Sequence, residues 1–480
     1  MKRLPNKFYP LFLSIFLLLS CSGNDGSSNS TPEQNSNDDS KQTILDNGAW
    51  REATPESVGM DKELLNKALE TAIGDGTFTQ GLVVIKDGKL ISERYRGITT
   101  SEISALVDNI GSTDAQSVVI RLLLGASYGK RNGASLASSW SMAKSVLSLG
   151  VGNAINQGYI EPIENSASQY IHEWAGIGDD RAKVTIKDLL DMASGLPMLC
   201  YNLNSGKFET CQNATDANGG GNIFLANEQM SECIGRIPMR NGYNQPWDGK
   251  VYQSDSRPFI YSNCDSMTVG QILYRATGKD ILDYFQVNIF SKIGVTPTHW
   301  WRDNTDNAEQ PDGNRLTYCC LDTTSRNFAK LGLLVLKNGL WDGEQIIPAS
   351  YIEKIKSITA REVEYGRFDG KTSYGLKFWA FDIEGRTIYA MVGFDSQFVM
   401  IDFENNMIIV RNSLYYPYLG AGTERKMNIS FLGSAKGMSI ANIDTSESRF
   451  PLTLPNGAGA TIETKFDPVT FYKDIAASIK

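Results

Sequence analysis

Ser141 and Lys144 lie three residues apart at the start of a segment, 142–159, that is apolar almost all round. Such a segment is typical of a buried helix. Positions three apart share one helix face, so the Ser141 hydroxyl and the Lys144 amine can meet. The helix N-terminus would add a backbone N–H at Ser141 that could bind a developing oxyanion. This spacing indicates nucleophilic catalysis with Ser141 as nucleophile and Lys144 as base.

Lys144 can accept a proton only in its neutral form. The reference pKa of a lysine is about 10.4, so neutrality at pH 7 requires a decrease of roughly 3, equivalent to about 4 to 5 kcal/mol. Burial in apolar surroundings lowers the pKa of an amine in this way. A Ser at a helix start with a Lys one turn later is also common on ordinary helices, so the pair needs support from elsewhere in the chain.

That support comes from Tyr261-Ser262-Asn263, which directly precedes another helical pattern. Together with Ser141 to Lys144, it resembles the first two boxes of the serine β-lactamase and penicillin-binding-protein superfamily. The Tyr-x-Asn form is that of class C β-lactamases and related esterases. Further similar segments occur in the expected order over about residues 49–415, at 185–196, 263–279 and 321–348. The opening segment 50–73 most resembles the branch that contains the 6-aminohexanoate-dimer (nylon-oligomer) hydrolases.

The resemblance implies a role for each residue. Ser141 would be acylated, with Lys144 as its base. Tyr261 would carry the proton between Ser141 and the leaving group. Asn263 would hold Lys144 and bind the carbonyl side of the substrate. No metal and no organic cofactor is implied.

The third box of the family departs from its usual form. The family carries Lys-Thr-Gly or His-x-Gly on an edge strand that follows a Gly-rich, Trp-containing strand, here 373–379. Lys371-Thr372-Ser373 precedes that strand, so we interpret it as a surface turn. The matching position is 391–397, where the nylon-hydrolase branch carries a Gly, two variable residues and Gly-Gln.

Gly393 and Gln397 fit that pattern, whereas Asp395 and Ser396 do not. A backbone N–H near Phe394, beside Gly393, could complete the oxyanion hole, because an N–H does not depend on side-chain identity. No cation is present there to hold a substrate carboxylate. This argues against a β-lactam or a C-terminal D-alanine as the natural substrate.

A rival nucleophile is Ser127 in Gly125-Ala126-Ser127-Tyr128-Gly129, which matches the G-x-S-x-G elbow of α/β-hydrolases. The elbow must open a helix, but residues 130–133 have turn composition. It also needs a His base, and the chain has only two, His172 and His299, each among aromatic residues. We therefore favour Ser141.

The surrounding pattern predicts an α/β (α+β) fold of the β-lactamase/transpeptidase type. A mainly antiparallel sheet of about five or more strands would be flanked by the first and last helices, with an inserted all-helical subdomain at about 141–320. The active site would lie in the cleft between the two parts. Segments 97–137 and 424–460 have the character of insertions. The elements expected are a helix capped by Asp61, a hairpin turning at Asp87-Gly88, strands at 387–392, 397–403 and 407–412, and a last helix from Asp467-Pro468.

The N-terminus predicts export. Lys2, Arg3 and Lys7 precede an apolar run at 11–19, about half the ~20 residues that a spanning helix needs. Leu18-Leu19-Ser20-Cys21 resembles a bacterial lipobox, in which Cys21 would be lipidated; a plain secretory signal is the alternative. The domains expected are a signal peptide at 1–20, a flexible tether at 21–48 and a hydrolase domain at 49–480. The location expected is the cell envelope, lipid-anchored, most simply at the outer membrane.

The composition excludes some partners. With 46 Lys plus Arg and 54 Asp plus Glu, the net charge is −8, so a nucleic-acid partner is not expected. Six further cysteines in an exported chain favour disulfides over metal ligation, and Cys200–Cys211 is one candidate pair.

The function expected from the sequence is that of a serine hydrolase acting on a small-molecule amide or ester, attached to a membrane through its N-terminal lipid. Two alternatives are a penicillin-binding or β-lactamase activity in the same fold, and a surface-binding lipoprotein that has lost turnover.

Overall fold

Short polar turns separate the strands and helices of this chain. The computed structural model describes residues 45–46, 48–110, 118, 121–122, 124–125, 128–176, 178, 180–202, 207–210, 229–236, 259–303, 309–358, 372–393, 396–414 and 464–480. The described strands are β1 Leu45–Asp46, β2 Ala49–Trp50, β3 Thr79–Lys86, β4 Lys89–Tyr95, β5 Leu136–Ser138, β6 Leu199–Asn202, β7 Lys207–Thr210, β8 His299–Trp300, β9 Leu321–Thr324, β10 Leu340–Trp341, β11 Glu344–Gln345, β12 Thr372–Gly375, β13 Phe378–Ile383, β14 Arg386–Gly393, β15 Gln397–Asp402 and β16 Met407–Ser413.

The described α-helices begin with α1, whose N-cap Asp61 accepts the backbone N–H groups of Glu63 and Leu64 as predicted. The last helix follows the predicted Asp467 cap, with Pro468 at its first position. These helices are α1 Lys62–Ala72, α2 Thr100–Ile110, α3 Met142–Asn156, α4 Ile186–Leu190, α5 Met230–Gly235, α6 Asn263–Thr277, α7 Ile281–Phe285 (continued by a π-helix at Gln286–Phe290), α8 Ser325–Leu336, α9 Ala349–Lys356 and α10 Pro468–Ala476.

The main sheet joins both ends of the chain. Its seven strands follow the order β12-β13-β14-β15-β16-β3-β4, and every neighbouring pair is antiparallel. The β3–β4 turn is the predicted hairpin, because Asp87 and Gly88 have the positive φ values, 52° and 73°, that such turns need. The predicted antiparallel sheet is confirmed.

The two faces of the sheet are covered by different layers, because side chains alternate along each strand. On β3, Leu82 and Val84 lie in the cluster that includes residues of α1 and α10. Val83 and Ile85 lie in the larger cluster that includes α3 and α8. The sheet is therefore flanked on one face by the first and last helices, as expected, and on the other by the layer that contains Ser141.

Three details of the predicted fold need correction. The predicted strand 373–379 is two strands, β12 and β13, joined by a turn at Leu376 and Lys377. The predicted surface turn at 371–373 is wrong for Thr372 and Ser373, which belong to β12; Lys371 lies outside the described residues. The segment 141–320 is mainly helical but not all-helical, since it contains β6, β7 and β8.

The described cysteines form two disulfides, Cys233–Cys264 and Cys319–Cys320. The first joins α5 to α6. The predicted partner Cys211 and the lipidation site Cys21 both lie outside the described residues. Over the part of the chain that the structure describes, no helix is long and apolar enough to span a membrane.

Candidate active site

Ser141 stands at the N-terminus of α3, where β5 ends. Two residues earlier, Ser139 is fixed to β9 by two hydrogen bonds: its N–H donates to the Leu321 carbonyl (2.8 Å), and the Leu321 N–H donates to Ser139 Oγ (2.9 Å). Trp140 then takes a left-handed φ of 44°, a costly conformation for a bulky residue and one that functional sites often retain. Ser141 Oγ makes no capping bond to its own helix, so the oxygen is available to other groups.

Lys144 meets Ser141 one turn into the helix. Its Nζ lies 2.9 Å from Ser141 Oγ and donates a hydrogen bond to the backbone carbonyl of Tyr318, also at 2.9 Å. The side chain is 1% exposed, and the amine lies 4.8 Å from the centre of the Tyr261 ring. The predicted meeting of hydroxyl and amine is thus present in the structure.

Burial lowers the pKa of Lys144 well below the ordinary lysine value, and the nearby Lys377 lowers it further. Among the described residues, no carboxylate forms an ion pair with this amine. A lysine with a depressed pKa is neutral over more of the physiological pH range, and only the neutral amine can take a proton from Ser141. The site therefore has the electrostatic property that a lysine base requires.

Tyr261 approaches Ser141 from the segment before α6. The Ile260 N–H donates to the Met192 carbonyl at 2.8 Å, and the Tyr261 ring packs on Tyr374 and Trp379 of the sheet edge, with ring centres 5.8 and 5.7 Å away. Its hydroxyl lies near the Ser141 side chain, which partly offsets the effect of burial on the Tyr261 pKa.

Burial raises the pKa of Tyr261 above its ordinary value, so the phenol keeps its proton. A protonated phenol can accept one proton while donating another, but it is not a strong base. The electrostatics therefore favour Lys144 as the base and Tyr261 as the relay.

Asn263 is the first residue of α6 and is partly buried. Its expected contact with Lys144 is not formed: the two hydrogen-bonding partners of the Lys144 amine are Ser141 Oγ and the Tyr318 carbonyl. The carbonyl fills the position that the resemblance assigned to the Asn263 amide. Asn263 remains a candidate for substrate binding only.

Gly393 ends β14 directly beside the nucleophile. A Cβ at this position would lie 2.2 Å from the carbonyl oxygen of Ser139 and 3.2 Å from Cβ of Trp140. Only glycine allows this approach of the edge strand to the start of α3. Gln397 pairs with Gly393 in the β14–β15 register and is turned away, donating to the Ser413 carbonyl at 3.0 Å. Phe394 and Asp395 lie outside the described residues.

Substitution of Gly393 by Ala is expected to separate the edge strand from Ser141. A contact of 2.2 Å to a backbone oxygen cannot be relieved by a side-chain rotation, so the backbone must move by about 1 Å, and such a displacement costs on the order of 10²-fold in rate. Steady-state hydrolysis of a p-nitrophenyl ester would measure this loss. Gly235→Ala is the matched control, because nothing lies within 4 Å of a Cβ there; equal activity of both variants would contradict the assignment of Gly393.

The rival elbow gains no support. Ser127 lies outside the described residues. His172 lies in a short 3₁₀-helix and His299 in β8, and neither contacts Ser141. No group of three or more His, Cys, Asp or Glu among the described residues could hold a metal ion.

Sequence reasoning missed two contributors to the site. The Tyr318 carbonyl, 174 residues from Lys144, could not be predicted, since a backbone carbonyl carries no residue identity. Lys377 lies in the β12–β13 turn, within the segment that the sequence pattern predicts to be one strand. A buried ion pair, Arg236–Asp265 at 2.8 Å, also lies beneath Ser262 and supports the second box.

The chain is similar to known proteins of one family. The family model described as Beta-lactamase matches residues 73–415. No curated protein matches the chain. Similar solved structures include a candidate 6-aminohexanoate-dimer hydrolase from Bacillus anthracis (20% identity, 85% of this chain and 89% of that chain, TM-score 0.47) and the octameric penicillin-binding protein homologue from Pyrococcus abyssi (14%, 80% and 78%, 0.49). A class C β-lactamase from Rhodobacter sphaeroides is also similar (14% identity, 74% of this chain and 96% of that chain, TM-score 0.44). Because the family model spans most of the chain, this protein belongs to the beta-lactamase family, whose members are serine hydrolases.

Proposed function

We propose that this protein is a serine hydrolase that cleaves an amide or ester bond through an acyl-enzyme on Ser141. The observation that supports this most directly is the meeting of three groups from distant parts of the chain. The Lys144 amine lies 2.9 Å from Ser141 Oγ, and the Tyr261 hydroxyl lies near the same serine.

In the proposed first step, neutral Lys144 takes the Ser141 proton while Oγ attacks the substrate carbonyl carbon. The carbonyl oxygen becomes an oxyanion near the Ser141 N–H, for which no acceptor is found among the described residues. The second N–H expected from the sequence is that of Phe394, which lies outside the described residues. Tyr261 then passes its proton to the leaving amine or alcohol as the carbon–heteroatom bond breaks, and it regains a proton from the Lys144 ammonium, which leaves Lys144 neutral for the next step.

Hydrolysis of the acyl-enzyme reverses these transfers. A water molecule loses its proton to Lys144, directly or through Tyr261, and attacks the acyl carbon. The bond to Ser141 Oγ breaks, and Oγ recovers a proton from the Lys144 ammonium. The Tyr318 carbonyl accepts a hydrogen bond from the amine and so keeps it oriented through both steps.

The substrate proposed is a small amide or ester without a carboxylate that must be held at the third box. Residues 391–399 contain no Lys, Arg or His. For this reason we favour linear amides and esters over β-lactams, and we expect slow acylation by nitrocefin.

The proposal is tested by intact-protein mass spectrometry of the wild-type chain after treatment with a fluorophosphonate, followed by peptide mapping. We expect one adduct per chain, carried by the peptide that contains Ser141. An adduct on the Ser127 peptide, or no adduct above that of the heat-denatured protein, would reject the proposal.

We also propose that the enzyme acts in the cell envelope, anchored through a lipid on Cys21. The support for this part is the lipobox-like sequence Leu18 to Cys21 alone.

A further inference from the structure

Lys377 occupies an unusual position for a lysine. It is the second residue of the two-residue turn between β12 and β13, in which Gly375 pairs with Phe378. Both turn residues are left-handed, with φ values of 46° at Leu376 and 65° at Lys377. Such turns favour Gly or Asn, and they are normally exposed. Lys377 is 1% exposed, so the chain keeps a buried lysine where glycine would fit the backbone better.

The backbone of this turn is attached to the elements that carry the site. The Lys377 N–H donates to the Leu190 carbonyl at 2.9 Å, and its carbonyl accepts the Ser145 hydroxyl at 2.6 Å. Ser145 is the residue after Lys144 on α3. The Leu376 N–H donates to Asp191 Oδ1 at 2.8 Å. The turn thus lies between the catalytic helix and the end of α4.

The Lys377 amine contacts residues on the side of the site that presents Tyr261. Its Nζ donates to the sulfur of Met192 at 3.2 Å, and the same sulfur accepts the Ser262 N–H at 3.4 Å. Met192 also accepts the Ile260 N–H through its carbonyl. Lys377 and Met192 therefore lie directly behind the segment that presents Tyr261.

Among the described residues, no carboxylate forms an ion pair with the Lys377 amine. Asp265 and Asp191 attract it and Arg236 repels it, but Asp265 is already bound by Arg236 and Ser194, and Asp191 by Lys187 and the Leu376 N–H. A sulfur is a weak acceptor for an ammonium. Burial is the main reason why the pKa of Lys377 falls to about 7. The groups that face Lys144 are Lys377, Ser141 and the rings of Tyr261 and Tyr318.

We propose that Lys377 is a positioning residue for the Ser141–Lys144–Tyr261 site: its carbonyl is hydrogen-bonded to Ser145, next to Lys144, and its amine holds the Tyr261 segment through Met192 and, when charged, opposes a positive charge on Lys144. The inference rests on the proposed function. It assigns a role to a residue that does not touch the substrate.

The test compares wild type with Lys377→Met and Lys377→Gly in the pH dependence of the second-order rate of fluorophosphonate labelling. Removal of the cation is expected to raise the pKa of Lys144. The acidic limb of the plot of labelling rate against pH should therefore move to higher pH. At pH values below the pKa of Lys144, a shift of about one pH unit lowers labelling about tenfold, and the plateau at high pH changes much less. The Gly variant suits the left-handed turn and keeps the test available if the Met variant folds poorly.

Lys330→Met is the matched control, because Lys330 is another buried lysine with a lowered pKa. Its amine donates a hydrogen bond to the Gly294 carbonyl. It should leave the acidic limb in place. An unmoved limb in both Lys377 variants, an equal shift in Lys330→Met, or loss of labelling at all pH values would overturn the inference.

A second measurement separates this inference from the proposed function. The folded pKa of Lys377 lies below that of the unfolded chain, so the unfolded state binds more protons between about pH 7 and 10.4, and stability rises with pH across that range. Denaturant midpoints of Lys377→Met should rise less steeply there than those of wild type. Wild type that is not labelled on Ser141 refutes the function; a labelled wild type with unchanged midpoint slopes in the variant refutes the role of Lys377.

Discussion

Replacement of Ser141 by Ala is expected to abolish the fluorophosphonate adduct and to lower ester hydrolysis by about 10⁴-fold or more. Alanine removes the hydroxyl that lies 2.9 Å from the Lys144 amine, so the acyl-enzyme cannot form. What remains is the catalysis that a binding cleft and oxyanion donors provide without a nucleophile, which is small. Mass spectrometry of the treated protein and steady-state kinetics with p-nitrophenyl esters measure the two effects.

Ser127→Ala is the matched control, because Ser127 is the rival nucleophile in the Gly125-to-Gly129 motif. It should keep both the adduct and the rate. A Ser141→Ala protein that still carries the adduct would contradict the mechanism, and so would loss of the adduct in Ser127→Ala with a normal unfolding transition.

Replacement of Lys144 by Met is expected to lower the rate of acylation by about 10³-fold, within the range for loss of a positioned base. Methionine preserves the length and burial of the side chain but cannot accept a proton. Lys144→Arg is the informative companion: it carries a permanent positive charge, because a guanidinium does not deprotonate in proteins. Both variants should be equally impaired in single-turnover labelling at pH 7 to 9.

The stability of Lys144→Met should not fall with its activity. In the wild type the amine is buried and its pKa is depressed, so its ammonium form destabilises the fold at every pH below the unfolded value of about 10.4. Replacement by an apolar side chain removes that cost. A denaturant midpoint at or above that of wild type would show that the loss of activity is chemical; activity retained in Lys144→Arg would rule out Lys144 as the base.

Local rules predicted most of the framework. Asp61 and Asp467 cap helices because their carboxylates accept the free N–H groups of a first turn, and Asp87-Gly88 turns a hairpin because both residues tolerate a positive φ. Each of these features depends on a few neighbouring residues, so each is readable in the sequence. The same holds for Ser141 and Lys144, whose meeting needs only one helical turn.

The features that could not be predicted depend on distant or backbone groups. The turn at Leu376-Lys377 lacks the Gly or Asn that marks a two-residue hairpin, so β12 and β13 were interpreted as one strand. The Tyr318 carbonyl has no signature in the sequence. Asn263 was assigned to Lys144 by resemblance, and the structure fills that position with the carbonyl instead.

The pairing of β16 with β3 also has a consequence for how the chain reaches its native state. Arg411 on β16 donates to Thr79 Oγ1 at 2.9 Å across a sequence separation of 332 residues, and β16 lies between β15 and β3 in the main sheet. One edge of the β3–β4 hairpin therefore stays unpaired until nearly the whole polypeptide has been synthesised. Such non-local pairing slows folding, and an unpaired edge can recruit other chains. A ribosome-bound chain would thus depend on chaperone protection until β16 has been synthesised.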